Sequence, residues 1–287
     1  MLGYIYAFMS ALCWSSAAIL YGYAVKNRDP LMVTILRIHP AFLVTLIGVL
    51  LLRELKLEIL FDPWILLLAI ITGAIGMFLG SYTYMYSLKK AGVSVVYPIA
   101  FSYPIYVSLI TIAFLGERFS VGIPIGLALL ITGLYLISSE KSTSREKDYR
   151  KGVIVAVITS LIWALNAILA KIALYRAPPV LFAMMRLLTL SILVTPLLLQ
   201  RIYEAREFSR SELLAATIGG AIGIGIGLIF SHLAIVDIGA ARTTIIGSSS
   251  PALSILLATI FLKEKPGKRA LIGALIVSAA IFVVAIF

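Results

Sequence analysis

Four ionisable side chains stand inside long apolar runs of this sequence: Arg37, His39, Arg186 and His232. An arginine at the centre of an apolar helix costs about 2.5–3.5 kcal/mol on insertion scales, so its presence calls for a reason. Arg37 lies six residues past Leu31, roughly 9 Å into its run, close enough to the end for the side chain to snorkel out. Its recurrence as Arg186 favours a place for both in a cavity. A histidine titrates near neutrality, so His39 and His232 are candidates for proton coupling as well as for hydrogen-bonded packing. Neither has a second ligand at metal spacing, and the single cysteine, Cys13, excludes an intramolecular disulfide and a cysteine-based metal site. There is no HExxH, no paired mid-span Asp and no nucleophile–base pair, so no catalytic residue, metal or cofactor is expected. No nucleotide-binding motif is present, which argues against direct ATP hydrolysis.

Polar groups differ between the halves. The first offers Tyr82, Tyr84, Tyr86, Tyr97, Tyr103 and Tyr106; the second offers Asn166, Thr243, Thr244, Ser248, Ser249 and Ser250. The best candidates to touch a ligand flank prolines: Tyr97, Ser102 and Tyr103 beside Pro98 and Pro104, and Ser248, Ser249 and Ser250 beside Pro251. With Asn166 and the indoles of Trp14 and Trp163, they suit a small polar or zwitterionic metabolite, an amino acid or an organic anion. A proline inside a helix removes its own N–H and frees the carbonyl four residues earlier, here Ser94 and Ala100. Lipid cannot satisfy a freed carbonyl, so the broken stretch must face protein or a water-lined cavity. Gly219, Gly223 and Gly227 repeat every four residues, as do Gly76 and Gly80. That spacing lets backbones approach closely, either as fixed packing or as a sliding face.

These residues need elements to carry them. The chain has 287 residues, 61% hydrophobic and 13% charged, with a mean hydropathy of +1.07; the class is an all-α integral membrane protein. The formal charge of +11 sits mainly in short loops, where it meets anionic headgroups and leaves no soluble face for nucleic acid. Ten apolar segments of roughly 19–25 residues, enough to cross about 30 Å, fall near 3–25, 31–52, 64–88, 93–115, 121–139, 152–174, 180–200, 213–236, 241–262 and 268–287. The first lacks a basic leader and a cleavage site, so it reads as a retained helix. Residues 140–151, EKSTSREKDYRK, form a charged, solvated linker between a first unit at 1–139 and a second at 152–287.

The units repeat. Trp14, Pro30 and Arg37 recur at an offset of 149 as Trp163, Pro179 and Arg186. Gly73, Gly76, Gly80, Gly92, Pro104, Glu117 and Gly126 recur at an offset of 147 as Gly220, Gly223, Gly227, Gly239, Pro251, Glu264 and Gly273. Five spans per unit is an odd number, so the halves are expected to be inverted about a central cavity. Trp14 and Trp163, Leu36-Arg37 and Met185-Arg186, SLKKAG at 87–92, and the endings LGE at 115–117 and LKE at 262–264 resemble the EamA family of the drug/metabolite transporter superfamily. The resemblance covers the whole chain as two tandem units and implies a ten-helix basket with alternating access. Small multidrug transporters of that superfamily carry a Glu in the first helix; here the region reads ALCWSSAAI, which argues against export of lipophilic cations.

If the loops between odd and following even spans are cytoplasmic, that side holds about sixteen Lys and Arg and the other about six. This places both termini outside and the linker inside, in the plasma membrane. Glu117 and Glu264 end the fourth and ninth spans. Either they are caps neutralised by neighbouring cations, or Arg37–Glu264 and Arg186–Glu117 close inner and outer gates in turn, with Pro98, Pro104 and Pro251 as hinges. The expected function is a secondary-active permease for a small metabolite, monomeric or homodimeric, without a cofactor and open to coupling with an ion or proton gradient. A flippase for a lipid-linked substrate and, further off, a membrane-embedded enzyme are the alternatives.

Overall fold

The computed structural model describes residues 1–25, 28–91, 96, 99–138, 146–261 and 267–287. Among these there are helices and no strand. Apolar runs long enough to cross lipid must satisfy their backbone internally, which a helix does. Seven helices are long and apolar enough to span a membrane, and Tyr103–Phe114 and Gly122–Ile137 are shorter apolar helices. Large side chains face outward, Phe114 at 80% exposure and Leu275 at 70%. On a helix bundle of this composition that surface is the lipid contact, so the chain is a multi-pass membrane protein.

In chain order the principal helices are α1 Leu2–Val25, α2 Pro30–Leu36, α3 Ile38–Leu51, α4 Pro63–Ile71 and α5 Gly80–Ala91. After them come α6 Tyr103–Phe114, α7 Gly122–Ser138, α8 Glu146–Ala173 and α9 Pro179–Gln200. The last four are α10 Arg210–Gly219, α11 Gly227–Gly247, α12 Ser250–Phe261 and α13 Lys268–Ile286. Their N-termini carry partial positive charge and unpaired N–H groups, and acidic side chains meet several of them. Asp62 accepts from the amides of Trp64 and Ile65 (2.9 and 3.0 Å), and Glu54 from those of Val180 and Leu181 (2.9 and 3.3 Å). Asp237 accepts from Gly3 (2.5 Å), and Ser209 with Glu212 forms a capping box. Several of the chain's few acids thus serve as helix caps.

The expected spans are interrupted where the repeat places its glycines and prolines. Arg37 is a turn residue between α2 and α3. α4 reaches α5 through a π-helical stretch, Thr72–Leu79, and α10 reaches α11 through another, Gly220–Ile226. Such wide turns are rare and recur at functional sites. Each lies at close backbone contact: a Cβ on Gly73 would stand 2.8 Å from the carbonyl oxygen of Arg186, and one on Gly220 would meet the carbonyl oxygen of Arg37. α11 is broken at Gly239, whose φ of 84° belongs to the left-handed side that favours glycine. α6 and α12 start at the prolines: Pro104 and Pro251 occupy the first turns, after breaks at 101–102 and 248–249. The prolines were expected inside helices. They lie at the starts because a ring there needs no N–H partner, whereas a continuous helix would drive it into the carbonyl four residues back.

Packing crosses between halves. α1 lies mainly on α11 and α8 on α5, while α3 packs on the second π-helical stretch and α9 on the first. At one end of the bundle α7 and α13 bury Leu130, Leu134, Val277, Ala280 and Val284 against Ile245 and Ile246 of α11. Gly133 and Gly273 let these two helices touch, since a Cβ on Gly273 would stand 2.6 Å from the Gly133 carbonyl oxygen.

Candidate functional site

A cavity of about 510 Å³ lies where these crossing helices meet. Its wall includes Trp14, Arg37, Tyr103, Trp163, Asn166, Arg186, His232, Ser250 and Pro251, which brings together nine of the residues singled out in the sequence. The volume is that of a small-molecule site.

Arg186 is held at both ends of its guanidinium. It is 2% exposed; one terminal nitrogen donates to Asn166 Oδ1 at 2.7 Å and the other faces His232 Nε2 at 2.8 Å. His232 Nδ1 lies 3.1 Å from the Pro179 carbonyl oxygen. A carbonyl only accepts and a guanidinium only donates, so these partners assign the neutral Nδ1–H tautomer, with Nε2 accepting from Arg186. Phe182 backs both groups, stacked on His232 with centroids 5.6 Å apart and 5.8 Å from the Arg186 guanidinium carbon.

Arg37 stands in different surroundings. Its guanidinium carbon rests 4.8 Å from the centre of the Tyr21 ring. One terminal nitrogen reaches Ser81 Oγ at 3.5 Å, and its buried Nε has no hydrogen-bond partner among the described residues. The positions equivalent to Asn166 and His232 in the other half are Ala17 and Met85, both on the cavity wall and both without a hydrogen-bonding head.

Two tryptophans cross glycines at equivalent places. A Cβ on Gly80 would stand 2.8 Å from Trp163 Nε1, and one on Gly227 would stand 2.9 Å from Trp14 Nε1. The bare helix surface at each glycine is thus what lets an indole lie flat. Trp163 also meets Tyr84, Phe101 and Tyr103, with centroids 5.2, 5.3 and 5.8 Å away. One side of the cavity is therefore an aromatic wall. Asn166 fills the space over Gly76.

Other candidates stand elsewhere. Ser102 donates to the Ile99 carbonyl (2.7 Å) and faces Ser160, and Ser249 donates to the Ile246 carbonyl (2.6 Å). Ser248 is fully buried, and none of these three is on the cavity wall. A hydroxyl next to a helix break finds a freed carbonyl before it finds a ligand. His39 lies 3.0 Å from Thr195 Oγ1, away from the cavity. Glu117 accepts from the amides of Ala240 (2.5 Å) and Ala241 (3.0 Å), with Lys171 at 3.7 Å. Arg186 is occupied by Asn166 and His232, so no Arg186–Glu117 bridge is formed here. Tyr97, Pro98, Glu264, position 139 and linker positions 140–145 lie outside the described residues.

Ser81, Tyr21 and Phe101 were not singled out as site residues. Ser81 directly follows the repeated Gly80 and Tyr21 lies about two turns past Trp14, but which face they occupy depends on packing. Phe101 is an apolar residue among many.

A family model for the EamA-like transporter family matches residues 1–139 and again 150–286. The chain belongs to the EamA-like transporter family. An uncharacterized transporter of Archaeoglobus fulgidus is 26% identical over 284 residues, covering 98% of this chain and 97% of that protein. A solved crystal structure superposes with a TM-score of 0.80 over 99% of this chain and 98% of the other at 20% identity, which shows the shared fold. This EamA protein is a membrane transporter rather than an enzyme.

Proposed function

We propose that this EamA protein is a secondary-active permease that moves a small polar or zwitterionic metabolite, an amino acid or organic anion, by alternating access. In this reading its ten membrane helices form two inverted five-helix repeats, 1–139 and 152–287, joined by a cytoplasmic linker at 140–151 in the plasma membrane. The observation that carries it is the cavity itself, lined by repeat-equivalent pairs from both halves: Trp14 with Trp163, Arg37 with Arg186, Gly76 with Gly223. A site at the interface of two repeats is exposed to each side in turn when one bundle rocks against the other. The reciprocal contacts of Gly73 with Arg186 and Gly220 with Arg37 support that inverted arrangement. Trp14, Arg37, Tyr103, Trp163, Asn166, Arg186 and Ser250 form the binding surface. The breaks preceding Pro104 and Pro251 act as hinges, and Glu117 steadies the break at Gly239. His232 is the better placed of the two histidines for coupling to protons, because it lines the cavity.

Single cysteines at Ser81 and Ser231, both on the cavity wall, in a Cys13→Ala background test this. In sealed vesicles an impermeant maleimide is applied from one face and then from the other. Alternating access predicts labelling of each position from both faces. Labelling from one face alone would contradict it.

A further inference from the structure

We propose that the cavity selects an organic monoanion with an apolar, ring-bearing body, and that Arg37 receives its charge. This rests on the transporter reading above and narrows its substrate.

Charge comes first. The wall holds two guanidiniums, Arg37 and Arg186, a histidine whose partners in this arrangement match its neutral form, and among the described residues no Asp or Glu. The stretches 92–95 and 97–98, which lie outside the described residues, contain no acid in sequence either. The nearest acids along the lining helices are engaged elsewhere. Glu117 is held by Ala240, Ala241 and Lys171, and Asp237 by the amide of Gly3. The cavity therefore carries positive charge with no internal counter-charge, and an anion entering it supplies one.

The two arginines are equivalent in sequence and unequal in environment. Arg186 has both terminal nitrogens engaged by Asn166 and His232. At the equivalent positions the other half carries Ala17 and Met85, both on the cavity wall, so Arg37 has neither an amide nor an imidazole partner; it rests over the Tyr21 ring and makes one long hydrogen bond to Ser81, and the Nε of each arginine is buried without a partner among the described residues. Guanidinium N–H groups left over in a fixed plane match a carboxylate's two oxygens. Arg186 then lines the site with its terminal nitrogens already engaged, and Arg37 is the receptor.

The body follows from the rest of the wall. Trp14, Tyr84, Phe101, Tyr103 and Trp163 give aromatic faces. Thr243 and Thr244 donate to the carbonyls of Gly239 and Ala240 in their own helix (2.6 and 2.8 Å), so their protons are not offered to a ligand. An ammonium group would find no carboxylate here and would meet two cations. A zwitterion or cation with the same body is therefore disfavoured.

The test uses the full-length purified chain and four ligands that share a phenylpropyl frame: 3-phenylpropionate, phenylalanine, 3-phenylpropylamine and 3-phenylpropanol. Affinity is read from quenching of tryptophan fluorescence and from the shift in Tm. The expected order puts 3-phenylpropionate first, about tenfold or more tighter than each of the others. Arg37→Gln should remove that preference, and Arg37→Lys should retain part of it because it keeps charge without the fork. The inference is overturned if phenylalanine or the amine binds as tightly as the propionate, if none of the four binds, or if Arg37→Gln keeps the preference. Should Arg37→Gln not fold, the wild-type order and Arg37→Lys still decide. Two-sided labelling of the Ser81 and Ser231 cysteines does not depend on ligand charge. Its persistence with the preference absent overturns the anion assignment and leaves the permease reading intact.

Discussion

Glu117 and Lys171 meet at a break in the chain and treat its two ends differently. Glu117 accepts the amides of Ala240 and Ala241, which start a helix, while Lys171 Nζ lies 3.4 Å from the carbonyl oxygen of Ile235, which closes the helix before. The carboxylate thus sits at a positive helix end and the ammonium at a negative one. Gly239 lies between them with φ of 84°, and a Cβ there would stand 2.8 Å from the Glu117 carboxylate. Glu117→Ala would strand Lys171 and two amides, costing about 3–5 kcal/mol of stability. Glu117→Gln keeps an acceptor and should cost less, about 1–2 kcal/mol. Thermal unfolding of the purified variants checks the order; wild-type stability in Glu117→Ala would mean the carboxylate caps nothing. The sequence offered Glu117 as a cap neutralised by a neighbouring cation, but not which helix it caps or which cation it meets. The sequence shows a glutamate at a helix end, but the two amides it accepts from lie more than 120 positions away and depend on how the helices cross.

Helix breaks set the next scale. Pro104 and Pro251 start α6 and α12, and the turns before them are equivalent in the repeat. Replacing Pro251 with Ala removes the ring that prevents a helix from running through Ser248 and Ser249. The expected result is slower turnover with the ligand dissociation constant held within about twofold, because the proposed hinge stiffens while the polar and aromatic groups of the wall stay. Stopped-flow flux and equilibrium binding on the same preparation check this. Unchanged turnover in both Pro104→Ala and Pro251→Ala would make the prolines packing residues. The prolines and glycines were readable because backbone constraints act at the residue that carries them. The serines beside them misled, since adjacency to a break does not say which way a hydroxyl turns: Ser250 lines the cavity, whereas Ser102 and Ser249 satisfy carbonyls of their own segments.

At the scale of the molecule, the duplicated tryptophans, arginines and glycines pointed to the cavity because equivalent residues met from opposite halves. The inequality of the two arginines did not show in the sequence. It depends on His232 reaching Arg186 across 46 positions and on Asn166 filling the space over Gly76, and both are products of packing. The membrane class was legible from composition, whereas the places where spans bend came from glycines in contact with a neighbouring backbone. The account stands or falls on exchange across a membrane through this one cavity. Counterflow measures that directly: proteoliposomes loaded with unlabelled 3-phenylpropionate take up the radiolabelled compound from outside, with Ser250→Cys in the Cys13→Ala background as the carrier. The account predicts uptake stimulated by the internal ligand and abolished when a bulky maleimide is attached at position 250. Absence of stimulation, or stimulation that survives the attached group, would contradict it.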